Sequence, residues 1–142
     1  MTLADTISDW LIADLKAQTA LAGADVIRAG DNSADRGPYI VVVDTSDEGG
    51  YDGIPGNLLE NARVAVAVLT HTTDDPDGSQ AAALKSAVSA ALWAMQETYE
   101  AQESPEWYVR YVSPWHEGPV AMDGAYRRVQ FTANLICQNS SI

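Results

Sequence analysis

Residues 124–137 alternate between apolar and polar side chains. Val129, Phe131, Ala133, Leu135 and Cys137 fall on one face, and Arg128, Gln130, Thr132 and Asn134 on the other. That is the period of a strand with one buried face. Upstream, Leu3, Ile7, Trp10, Leu11 and Leu15 repeat at helical spacing and predict an amphipathic first helix ending near Ala22-Gly23. Val26-Ile27 is short enough for a minimal strand. The β-branched run Pro38–Asp44 predicts a buried strand, and Arg63–His71 a second one, paired antiparallel with it across a long loop. Ala81, Leu84, Val88, Ala91, Leu92 and Met95 predict a helix running to about Glu100, opened by a capping box with Asp77 as N-cap and Gln80 reaching back. Trp107–Val112 reads as a fourth main strand. The tail 138–142 reads as loose.

Two connections stand out. Asp47–Asn57 holds four glycines and a proline, and Ser113–Asp123 holds two prolines and one glycine. Long loops of this kind inside a compact domain are functional or without fixed structure. With no repeat, linker or low-complexity block, 1–142 reads as one domain. The expected class is α+β: a mainly antiparallel sheet of four to five strands with two helices packed on one face.

Composition narrows the function. At 46% hydrophobic, the 142 residues suffice for a real core. Twenty acidic against eight basic residues give a formal charge of −12. This argues against gripping a nucleic-acid backbone or an anionic membrane surface, and it reads first as solubility and mutual repulsion of monomers. Cys137 is the single cysteine, so no intramolecular disulfide forms, and its apolar-face position suits a small buried hydrophobe. Residues 1–5 show no signal-peptide pattern, and no stretch approaches the roughly 18 apolar residues of a membrane span. A soluble protein, cytosolic at synthesis, is expected.

Candidate chemistry is sparse. His71 lies near Asp74, Asp75 and Asp77, a set that could bind a metal but that equally makes an ordinary strand-to-helix turn. His116 and Glu117 are adjacent in a loop, where neighbouring side chains seldom point together. No Gly-x-Ser-x-Gly elbow or phosphate-cradling glycine motif appears. No cofactor, metal or catalytic residue is therefore assigned. Trp10 and Trp93 are expected in the core. For Trp107, Tyr108, Tyr111 and Trp115 both readings stay open, core filling and an exposed interface.

Taken together, Pro38-Tyr39-Ile40-Val41-Val42 after an N-terminal helix, a strand ending in His71, a helix carrying Leu84 to Leu92, and the closing strand Tyr126–Phe131 resemble the tail terminator proteins of tailed bacteriophages, also called tail completion or head–tail joining proteins. The resemblance runs from about Leu3 to Cys137. It implies a virion protein, put together in the host cytoplasm, that is not an enzyme. Such a protein closes the tail tube as a ring, usually hexameric, with tail tube protein and head connector or stopper as partners and no membrane. DNA passes through the ring without specific binding. It places contacts in Asp47–Asn57 and Ser113–Asp123. Candidate interface residues are Tyr51, Ile54, Arg63, Arg110, Trp115, His116, Arg127 and Arg128. Asp74, Asp75 and Asp77 are candidates to face the channel, where carboxylates would repel phosphates. The alternatives are another neck or tail protein, such as a stopper or tube subunit, a small acidic protein-binding module, or an enzyme built on His71 or His116.

Overall fold

A computed structural model describes residues 3–30, 37–47, 59–100 and 107–139, with side chains over 7–30, 37–43, 63–94 and 112–135. The elements are α1 (Leu3–Lys16), a 3-10 turn (Thr19–Leu21), β1 (Asp25–Arg28), β2 (Tyr39–Asp47), β3 (Leu59–His71), α2 (Ser79–Glu100), β4 (Trp107–Val112), β5 (His116–Glu117), β6 (Ala121–Asp123) and β7 (Tyr126–Asn139). The sheet runs β1-β2-β3-β7-β4, with β5 and β6 also paired to β7. Among the described strands only the β1–β2 pair is parallel. The class is α+β, as expected, with five strands in the continuous order and two short ones beside them.

The period of two along β3 and β7 divides the sheet. Their thirteen register pairs run from Leu59↔Gln138 to His71↔Tyr126. Directly opposed residues share a face. Val64, Val66 and Val68 oppose Ala133, Phe131 and Val129, and all six are buried. Ile40 and Val42 of β2 continue this inner face. Ile7, Leu11 and Leu15 of α1, and Leu84, Val88, Ala91 and Leu92 of α2, close over it as one core cluster. Spacings of three and four put each helical set on one stripe. α1 lies over β1–β3, and α2 over β3, β7 and β4. No described helix is long and apolar enough to cross a membrane.

The other face carries Tyr39, Val41 and Val43 of β2, opposed by Leu69, Ala67 and Ala65 of β3, and then Arg128, Gln130 and Thr132 of β7. Among the described residues no element lies across it. Ala65 and Ala67 are nevertheless buried, because each is flanked by larger side chains on both neighbouring strands.

Several boundaries differ from expectation. α1 stops at Lys16, not near Ala22-Gly23: Gln18 is extended (φ −78, ψ 119), and the 3-10 turn that follows swings Leu21 into the core. β2 and β3 are longer than their β-branched runs, so Asp47 is strand, paired with Asn61. Gln138 and Asn139 are not loose but ladder with Tyr108 and Trp107. The segment 113–123 is not one loop. It carries β5 and β6, and Gly118 N–H donates to the Gln130 carbonyl between them at 2.8 Å. Residues 107–123 thus form one interrupted partner for β7, closed by a two-residue turn in which Gly124 supplies the positive φ of 61°. Trp93 is 54% exposed, not core.

Leu135→Ala, on the buried face, should lower stability by about 2–5 kcal/mol. Thr132→Val, three residues away on the outer face, should change it by no more than about 0.5 kcal/mol. Urea unfolding of the two variants checks this, and equal losses would contradict the two-faced sheet.

Candidate functional site

The turn between β3 and α2 is built by carboxylates, and the cap is not the one expected. The Gly78 carbonyl accepts the first helical bond, from Ala82 N–H at 3.0 Å, so Gly78 holds the N-cap position. Asp75 reaches forward instead, and its two oxygens accept the N–H groups of Gln80 and Ala81 at 2.9 Å each. Asp77 Oδ1 accepts the Ser79 N–H at 3.0 Å and the Ser79 hydroxyl at 2.8 Å. Gly78 takes a left-handed φ of +79°, and a Cβ there would stand 3.4 Å from Arg127 Nε. That space admits the Arg127 guanidinium, which donates to the carbonyls of Asp75 and of Pro76 (2.8 Å to the latter). It also stands 3.8 Å from the Asp75 carboxylate.

Asp75 is 2% exposed. Burial alone would push its carboxyl up. The Gln80 and Ala81 amides, with the Arg127 charge, outweigh that and hold it below its ordinary value. Asp77 is also lowered, through the Ser79 amide and hydroxyl. Asp75 is therefore a structural anion and not a channel-facing one. Arg127 is likewise committed inside the chain rather than to an interface. Asp74 and Asp77 are exposed. The His71 ring accepts Thr73 N–H on Nδ1 at 3.1 Å and stands edge-on to Tyr126, with ring centres 5.1 Å apart. Among the described residues no group of three or more His, Cys, Asp or Glu is placed to hold a metal.

Three of the remaining candidates, Arg63, His116 and Arg128, gather elsewhere. Between β7 and residues 113–121 the outer face holds a groove of two hollows, about 360 and 460 Å³, which share His116 and Thr132. Arg128 and Gln130 line one hollow; Arg63 and Asn134 line the other. Arg63 Nε approaches Asn134 Oδ1 at 3.5 Å. Arg128 donates to Gln130 Oε1 at 2.5 Å and stands 3.8 Å from the exposed Asp123 carboxylate. Ser113 and Asn134 exchange two bonds of 2.8 Å: Ser113 N–H to the Asn134 carbonyl, and Asn134 N–H to Ser113 Oγ. That hydroxyl is thus held by the backbone and not by a histidine base. The groove is rich in donors, so it suits an acceptor-rich or anionic partner.

Of the expected interface residues, the structure brings Arg63, His116 and Arg128 together along this groove. Trp115 is 7% exposed and joins the core, because the chain between Val112 and His116 has an extra residue against β7 that turns the indole inward. Arg110 is the extra residue of a bulge in β4 between Val109 and Tyr111, and its side chain lies outside the described set, as do Tyr51 and Ile54. Glu117 does not partner its neighbour His116: it points to the helix side and pairs with Lys85 at 3.5 Å. Sequence reasoning missed Gln130, Thr132 and Asn134 as groove residues, although they are the polar half of the alternation that identifies the strand.

Neither a family model nor a curated protein sequence matches this chain. Solved structures share its fold. One, known by a bare sequence label, has TM-score 0.62 at 20% identity, over 94% of this chain and 89% of its own. Another, from the virion of a native gene transfer agent (GTA) particle, has TM-score 0.63 at 14% identity, over 97% of this chain and 99% of its own. At such identities the likeness is one of fold.

Asp75→Asn should destabilise the protein at pH 7 by about 1–3 kcal/mol, since two helix amides and a guanidinium lose their anion. A carboxylate lowered in the folded state contributes stability above its unfolded pKa, and that stability is lost as pH falls through the folded value. The difference between wild type and variant should therefore shrink below about pH 4. Denaturant melts at pH 7 and pH 3 check this, and a difference independent of pH would contradict it.

Proposed function

We propose that this chain is a structural protein of a phage-like particle and, within that class, a tail terminator that works by assembly and not by catalysis. Copies close into a ring, hexameric as the family resemblance implies, on the end of the tail tube. They present their other surface to the head connector or stopper. DNA passes through the ring without specific binding, and the protein ends in the neck of the virion after assembly in the host cytoplasm.

The observation that carries this reading is the extent of the correspondence with the chain from the gene transfer agent particle, 97% of this chain against 99% of that one. A match end to end in both chains involves the whole architecture rather than one recurring motif. The charge supports it in a second way. A formal −12 favours a channel wall along which phosphates slide, with Asp74 and Asp77 as the remaining acidic candidates from the turn before α2. The donor-lined groove beside 113–121 lies in one of the two segments where the resemblance places contacts.

Light scattering and negative-stain microscopy of the purified protein, alone and mixed with tail tubes, test it. Rings of about six copies, or caps on tube ends, are expected. A monomer that ignores tube ends would contradict the reading and favour a small acidic binding module.

A further inference from the structure

Among the described residues, the large apolar side chains that are more than half exposed are Trp93, Val120 and Met122. All three stand on the helix side of the sheet. Met122 opposes Arg127 in the β6–β7 ladder. Opposed residues share a face, so Met122 is on the side where Arg127 meets the turn before α2. Val120 lies between Pro119 and Ala121, which both line the outer hollow, and is turned away from that lining. On α2, Lys85, Ser89 and Trp93 follow at spacings of four along one flank. Lys85 reaches Glu117 of β5 at 3.5 Å, so this flank borders β5 and β6. Met122, Val120 and Trp93 thus form a ridge along the seam between α2 and the two short strands, with the Lys85–Glu117 pair at its middle.

Charge sets this ridge apart. The chain has twenty acidic residues, yet between Ser79 and Gln96 Lys85 is its one charged residue, and Glu117 neutralises it. A second uncharged surface lies across the sheet. Tyr39, Val41 and Val43 oppose Leu69, Ala67 and Ala65 on the outer face, and Ile27 of β1 extends the strip beside Val41. Ile27, Val41, Val43 and Leu69 are partly exposed. Copies with a formal charge of −12 repel one another. They approach most closely where carboxylates are sparse, which is the property these two surfaces share.

We infer that the Trp93–Val120–Met122 ridge of one copy seats on the outer strip of β2 and β3 of a second copy. No copy satisfies itself this way, because the ridge is on the helix side of the sheet and the strip is on the opposite side. The contact is therefore head-to-tail, the kind that generates a ring where the rotation closes. Its side chains suit the fully buried centre of an interface, where aromatic residues and Met are enriched and charge is depleted. The inference rests on the assembly proposed above and names its subunit contact.

The test uses two variants of the full-length protein, each checked for folding by circular dichroism and followed by sedimentation equilibrium. One carries Trp93→Glu and Met122→Glu on the ridge; the other carries Val41→Glu and Leu69→Glu on the strip. Should the second fail to fold, Val41→Thr with Leu69→Thr takes its place. Each variant alone should associate about tenfold or more weakly than wild type. Mixed, the two should form a one-to-one dimer, because the mixture holds an intact ridge on one copy and an intact strip on the other. Should wild type assemble only on tail tubes, capped tube ends are counted instead, and neither variant should cap them. Assembly of either variant at wild-type strength, or no dimer in the mixture of variants of a wild type that assembles in solution, would overturn the inference. A ridge variant that forms rings but does not cap tubes would also overturn it, and would assign the ridge to the tube protein. Rings unchanged by the variants would remove this contact and leave the assembly, whereas wild-type monomers that ignore tube ends would remove the assembly and this contact together.

Discussion

The ladder between β3 and β7 is the constraint on which the rest of the structure depends. Thirteen register pairs join two strands that are far apart in sequence. Each pair fixes which side chain faces the helices and which faces away, and a slip of one residue would exchange the faces. Val66 and Phe131 build the core only because Ala65 and Thr132 point the other way. β7 is then paired along its second edge by β4, β5 and β6, so one strand organises both halves of the sheet.

From that strand the two sides diverge chemically. On the helix side, Arg127 ties β7 to the turn before α2, and buried Asp75 completes the first turn of the helix. These charges are internal: they orient α2 and are not available to another molecule. One residue later, Arg128 is on the opposite face, beside the groove. Adjacent arginines thus have unrelated roles because the strand period is two. The outer face combines an apolar strip on β2 and β3 with donors on β7.

Much of the fold was legible in the sequence because periodicity records burial directly. Val129 to Leu135 declared the inner face, and Leu84 to Leu92 declared the helix above it. What was not legible depended on tertiary context. The end of α1 at Lys16 is set by Leu21 turning inward, and β5 and β6 exist only because β7 offers them an edge. Nothing local distinguishes Trp115, a core side chain, from an exposed aromatic, since a single extra residue in the 113–115 segment decides its direction. Asp75 and Arg127 read as surface charges because their partners are 52 residues apart. Arg63, His116 and Arg128 were legible only as separate candidates, and the register brought them to one groove.

The proposed assembly is tested most directly by a near-atomic electron-microscopy reconstruction of this protein on tail tubes. The expected result is a ring in which the Tyr39–Leu69–Arg128 row and the groove beside it are covered by the adjacent subunit. A ring whose copies meet through α1 and α2, with that face open to solvent, would contradict it.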